Sequence, residues 1–92
     1  NSGIDNQKKN DKIKCWTENG RICIEVSDFY RGKEFRLQIT DLSGRVIGME
    51  DCIVDSYRLL SETILSMPGA YFIQAIDKET DVTVLQTRCI AN

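Results

Sequence analysis

At 92 residues, 41% hydrophobic and 28% charged, the chain is one small globular domain, too apolar for intrinsic disorder, with about 60–65% of its unfolded surface buried on folding. A net charge of −2 supplies no positive field for phosphate backbones and argues against a nucleic-acid partner. No apolar run approaches the roughly 18 residues that a transmembrane helix needs.

Residues 1–11 combine Asn, Gln, Lys, Asp, Ser and Gly with a single isoleucine, a composition that cannot bury itself. They are read as a flexible polar N-terminal arm, and the domain is expected over residues 12–92. Lys8, Lys9, Lys12 and Lys14 make that end locally basic, which is read as solvation rather than a binding patch. A start without Met fits a precursor cut after an export signal.

From Lys12 onward, short runs rich in β-branched and aromatic residues alternate with turn residues, the pattern of a sandwich or barrel. Asn19-Gly20 is the favoured pair for a two-residue type I′ turn. It sets Glu18 against Arg21, Trp16 against Cys23 and Lys14 against Glu25, so both charge pairs match. Ile13, Cys15, Ile22, Ile24 and Val26 then share one face, while Lys14, Trp16, Cys23 and Glu25 share the other. A Cys15–Cys23 disulfide is disfavoured, because the two sulfurs leave the sheet on opposite sides.

The loop from Ser27 to Lys33 leads into Glu34–Thr40, where Phe35, Leu37 and Ile39 alternate with Arg36, Gln38 and Thr40. Asp41-Leu42-Ser43-Gly44 is turn chemistry. It returns the chain through Arg45 to Met49, with Asp41 against Arg45 and Ile39 against Ile47. Residues 50–66 fit neither period, and two readings stay open: strands near Ile53-Val54 and Ile64-Leu65, or a helix over Tyr57–Leu65. Ala70–Ile76 and Val82–Ile90 read as a closing hairpin around the polar loop from Asp77 to Asp81. The expected fold is an all-β, antiparallel, immunoglobulin-like β-sandwich of about seven strands. Its predicted core is Ile13, Cys15, Ile22, Ile24, Val26, Phe35, Leu37, Ile39 and Ile47.

The sequence contains no histidine, which removes the Ser-His-Asp and Cys-His arrangements and the commonest general base. A carboxylate-only hydrolase needs two acids facing each other across a cleft, and a thin sandwich has little room for one. The chain is therefore read as no enzyme, with no cofactor. The four cysteines, Cys15, Cys23, Cys52 and Cys89, lack the close pairs of a zinc site. They are candidate disulfide cysteines of an extracytoplasmic protein. Asp77, Glu79 and Asp81 bring oxygen donors together, but they lack the glycine and downstream glutamate of a helix-loop-helix calcium site, so no metal is expected. Phe29, Tyr30 and Arg31 in the loop, with Trp16 on the outward face, are the candidate contacts for a protein or glycan partner. For Phe29 and Tyr30, a cap closing one end of the sandwich is the competing and preferred reading.

Ile24-Glu25-Val26, then Phe35–Ile47 with Ile39-Thr40-Asp41-Leu42-Ser43-Gly44-Arg45-Val46, then Ser66-Met67-Pro68-Gly69-Ala70-Tyr71-Phe72-Ile73, resemble the C-terminal sorting domains of the bacterial type IX secretion system. The layout is also similar to small secreted immunoglobulin-like proteins of unknown function from Gram-negative bacteria, over roughly Arg21–Ile90. The resemblance implies a seven-stranded or so sandwich exported from the cytoplasm, with no catalytic residues to carry over. Gly69 followed by Tyr71 resembles the tyrosine corner of such folds. The end, Arg88-Cys89-Ile90-Ala91-Asn92, departs from the basic, strand-like finish of a sorting domain, as do the four cysteines. The expected function is thus a secreted or periplasmic, non-catalytic binding or adhesion-type accessory module, with a sorting domain that follows a cargo protein as the alternative.

Overall fold

The computed structural model describes residues 13–92; the arm expected at residues 1–11 lies outside the described residues. The first hairpin joins β1 (Ile13–Glu18) and β2 (Arg21–Val26) in the register that the Asn-Gly turn dictates, with Trp16 opposite Cys23 and Lys14 opposite Glu25. Both turn residues take positive φ, Asn19 at 54° and Gly20 at 80°, as a type I′ turn requires.

The chain then crosses to a second sheet through a short 3-10 turn, Asp28–Tyr30. There β3 (Glu34–Asp41) pairs with β4 (Val46–Ile53). It crosses back as β5 (Arg58–Ile64), which adds to β2, and returns as β6 (Gly69–Asp77) and β7 (Val82–Ala91). The result is a three-stranded sheet, β1-β2-β5, packed on a four-stranded sheet, β4-β3-β6-β7, with all pairings antiparallel. This is the seven-stranded, immunoglobulin-like sandwich expected from the sequence.

The predicted core residues lie between the sheets. Ile22, Ile24, Phe35 and Ile39 are almost fully buried, and Cys15 and Ile47 pack against the cluster. Each such aliphatic or aromatic side chain stabilises the fold by about 1.5–3 kcal/mol. Ile73, Ala75, Tyr71, Val54, Leu65, Cys89 and Ala91 complete the core. Ile73 faces Ile39 directly across the β3–β6 ladder.

Two expectations need correction. No helix forms over Tyr57–Leu65; β5 occupies the stretch, with Arg58, Leu60 and Glu62 exposed. The strand is illegible in the sequence because residue type does not follow its alternation: Ser61 is buried and Thr63 half-buried, while apolar Leu60 and Ile64 are exposed. Cys23 pairs with Leu60 but Arg21 pairs with Ile64, so β5 bulges between them. Buried Ser61 fills the bulge: its hydroxyl accepts the Ile22 amide at 2.9 Å and donates to the Thr63 carbonyl at 2.8 Å. The second correction concerns Ile39, which pairs with Gly48 rather than Ile47. A bulge between Ile39 and Thr40 absorbs one residue of β4, and the expected approach of Asp41 to Arg45 survives as a 2.9 Å backbone hydrogen bond.

Different sheets meet at both open edges. At one, the Thr17 hydroxyl of β1 donates to the Ile90 carbonyl of β7 at 2.7 Å, and Cys15 lies beside Cys89. At the other, Glu50 of β4 accepts hydrogen bonds from β5. At one end, the Tyr71 hydroxyl donates to the Met67 carbonyl four residues upstream at 2.7 Å, forming the tyrosine corner expected from the Gly69–Tyr71 spacing.

Candidate functional site

The antiparallel registers sort the outward side chains of β1, β2 and β5 into cross-strand rows. Lys14, Glu25 and Arg58 form one, Trp16, Cys23 and Leu60 the next, and Glu18, Arg21 and Ile64 the third. Charges alternate in sign along the first row, and an apolar row runs beside it. The Arg58 guanidinium carbon stands 5.5 Å from the Trp16 ring centroid and 5.9 Å from that of Tyr57. Both distances lie within cation–π range. The Trp16 indole N–H donates to Glu18 Oε2 at 3.2 Å, which holds the ring in place. Tyr57 and Leu60 are 58% and 52% exposed, so the patch offers aromatic and aliphatic surface framed by paired charges.

Of the residues singled out in the sequence, Trp16 belongs to this patch and the loop residues do not. Tyr30 is buried; its ring meets Phe35 edge-on at 5.6 Å and Phe29 at 4.9 Å. Tyr30 therefore closes one end of the sandwich, while Phe29 is 63% exposed outside it. Arg31 pairs with Asp28 at 3.1 Å. Sequence reasoning missed Tyr57, Arg58 and Leu60. The available signal was the adjacent Tyr57-Arg58 pair, but without the strand there was no face on which to place it.

The four cysteines separate by environment. Cys23 is fully buried in the middle of the outward row, and desolvation raises its pKa against the opposing influence of Arg58. Cys52 faces the core from β4, and burial, followed by the carboxylates of Glu50, Asp51 and Glu34, pushes its thiol up to about 11. Cys15 and Cys89 share a hydrogen bond with their sulfurs 3.2 Å apart. That bond lowers the pKa of Cys89 and, with burial, raises that of Cys15. All four are free thiols in this structure.

The acidic loop is structural. Asp77 is buried: Oδ1 accepts the Glu79 amide at 2.9 Å, and Oδ2 lies 3.7 Å from Lys33 Nζ. Among the described residues, no group of three or more acidic or cysteine side chains is placed to hold a metal ion. No described helix is long and apolar enough to cross a membrane. Asp41 is held below the ordinary carboxylate range chiefly by the Ser43 hydroxyl and the Arg45 amide. Lys78 and Arg36 do the same for Asp51. Neither acid is a proton donor near neutral pH.

Fold and surface together define a small antiparallel sandwich with one aromatic, mixed-charge outward face. No protein-family model matches the chain, and no curated protein matches it.

Proposed function

We propose that this chain is a non-catalytic, immunoglobulin-like binding module that acts outside the cytoplasm, in the periplasm, at the cell surface or as a secreted protein. It engages a protein or glycan partner through the outward face of β1, β2 and β5. The observation that carries this reading is the position of Arg58 against both Trp16 and Tyr57 beside exposed Leu60. Aromatic rings and arginine are the residue types that dominate recognition surfaces, and aromatic faces also stack on sugar rings. The even cysteine number suits an oxidising compartment.

A glycan array and a pull-down from bacterial envelope extract, each run with the wild-type chain and with Trp16→Ala, test the proposal. A ligand retained by the wild type and lost in a folded Trp16→Ala variant is the expected result. Clean negatives in both assays, or binding indifferent to Trp16, would sink it.

A further inference from the structure

We infer that Cys15 and Cys89 are the disulfide pair of this protein, forming a covalent clamp between the edge strands β1 and β7, and that Cys23 and Cys52 remain thiols. The inference is independent of the binding proposal and requires no partner.

The two sulfurs stand 3.2 Å apart, about 1.2 Å beyond the ~2.05 Å of a disulfide. The strands that carry them belong to different sheets and share no ladder. Thr17 already fastens one point of it through the Ile90 carbonyl. Cys15 and Cys89 sit in register with Ile24 and Tyr71, two core residues, and so both point inward. Their separation of 74 residues means that the bond closes a long loop of the unfolded chain, where a cross-link restrains the most conformations.

The alternatives fail on placement. Cys23 leaves the other side of the three-stranded sheet, in the row of Trp16 and Leu60. Cys52 lies on β4, at the far edge of the four-stranded sheet from β7, with β3 and β6 between. Three strand spacings amount to about 14 Å. Neither Cys52 nor Cys23 reaches Cys89, and they do not reach each other through the sheet.

The chemistry is thiol–disulfide exchange with a low-molecular-weight disulfide, RSSR, as oxidant. Cys15, the more accessible of the two, loses its proton and attacks one sulfur of RSSR. The S–S bond breaks, and RS⁻ leaves and takes up a proton. Cys89 then gives up its proton and attacks Cys15 Sγ of the mixed disulfide, releasing the second RS⁻, which is also protonated. Two protein thiols lose two electrons in total, and RSSR becomes two RSH. The seam is reachable at Cys15, which is only partly buried.

The test is incubation of the reduced full chain with oxidised glutathione, followed by alkylation, peptide mapping by mass spectrometry and thermal melting. Two alkylated thiols per chain, a linked Cys15–Cys89 peptide and a Tm at least about 10 °C above that of the reduced form are expected. Cys15→Ser and Cys89→Ser should each abolish the link, whereas Cys23→Ser and Cys52→Ser should leave it intact. Four alkylatable thiols after oxidation, or a dominant linkage through Cys23 or Cys52, overturns the pairing. A Cys15–Cys89 link with no rise in Tm overturns the clamp.

Discussion

Glu50 on β4 grips Thr63 on β5: one carboxylate oxygen accepts the Thr63 amide at 3.0 Å and its hydroxyl at 2.8 Å, while the other accepts the Glu62 amide at 2.9 Å. The two strands belong to different sheets, so this carboxylate replaces a ladder at the edge opposite the Cys15–Cys89 seam. Gly48 makes the approach possible, since a Cβ there would lie 2.5 Å from Thr63 Oγ1 and 2.8 Å from its methyl group.

Glu50→Ala removes a shared acceptor from two backbone amides and is expected to cost about 1–2 kcal/mol. Gly48→Ala forces Thr63 or a strand to shift and should cost about 1–3 kcal/mol. Chemical denaturation of both variants checks the pair. Adding Thr63→Ala to Gly48→Ala should recover part of the loss, and strict additivity would show that the contact is not its cause.

Tyr71→Phe deletes the hydroxyl that reaches the Met67 carbonyl and leaves the buried ring in place. A loss of about 1 kcal/mol is expected, read as a lower urea midpoint at unchanged slope. An unchanged midpoint would show that the corner contributes nothing to stability.

Among the described residues, the buried hydroxyl oxygen of Ser27 has no hydrogen-bond partner, a desolvated group without compensation. Ser27→Ala should therefore be neutral or stabilising by up to about 1 kcal/mol. Destabilisation in equilibrium unfolding would reveal a partner for the hydroxyl.

Stability should fall in acid. Asp41 and Asp51 titrate lower in the folded chain than in the unfolded one, so between the two values the unfolded state binds more protons and stability rises with pH. Their contribution is full well above the unfolded carboxylate value of about 3.9 and is lost as pH falls through the lower folded values. Lys78, raised chiefly by Asp51, works in the opposite sense: its contribution is full below its ordinary pKa and is lost as alkaline pH passes the folded value. Urea midpoints from pH 2 to pH 11 should decline at both extremes, and Asp51→Asn should flatten both arms.

Much of the fold was legible in the sequence wherever local chemistry and periodicity agreed. Asn19-Gly20 determined the first hairpin residue by residue, and the alternation of Phe35, Leu37 and Ile39 placed β3 and its buried face. Tyr71 beside Gly69 announced its hydroxyl's bond. Legibility failed at β5, where inward and outward positions alternate but polar Ser61 is buried and apolar Leu60 and Ile64 are exposed. With it went Tyr57, Arg58 and Leu60, the part of the candidate surface that surrounds Trp16.

The sequence by itself determined that this is a small all-β domain, which side chains of the first hairpin face inward, and that Trp16 and Cys23 share an outward row. Those properties follow from turn conformation and strand alternation, which act over a few residues. Only the tertiary structure decided that β1 meets β7 and β4 meets β5, and hence that Cys15 lies beside Cys89, Glu50 holds Thr63 and Arg58 covers Trp16. The partners in the first and third of these contacts lie more than 40 residues apart in sequence, while Glu50 and Thr63 are separated by a crossing between sheets. Alternation tells a side chain which way to point, but not which distant strand will stand opposite it; the packing of the two sheets settles that.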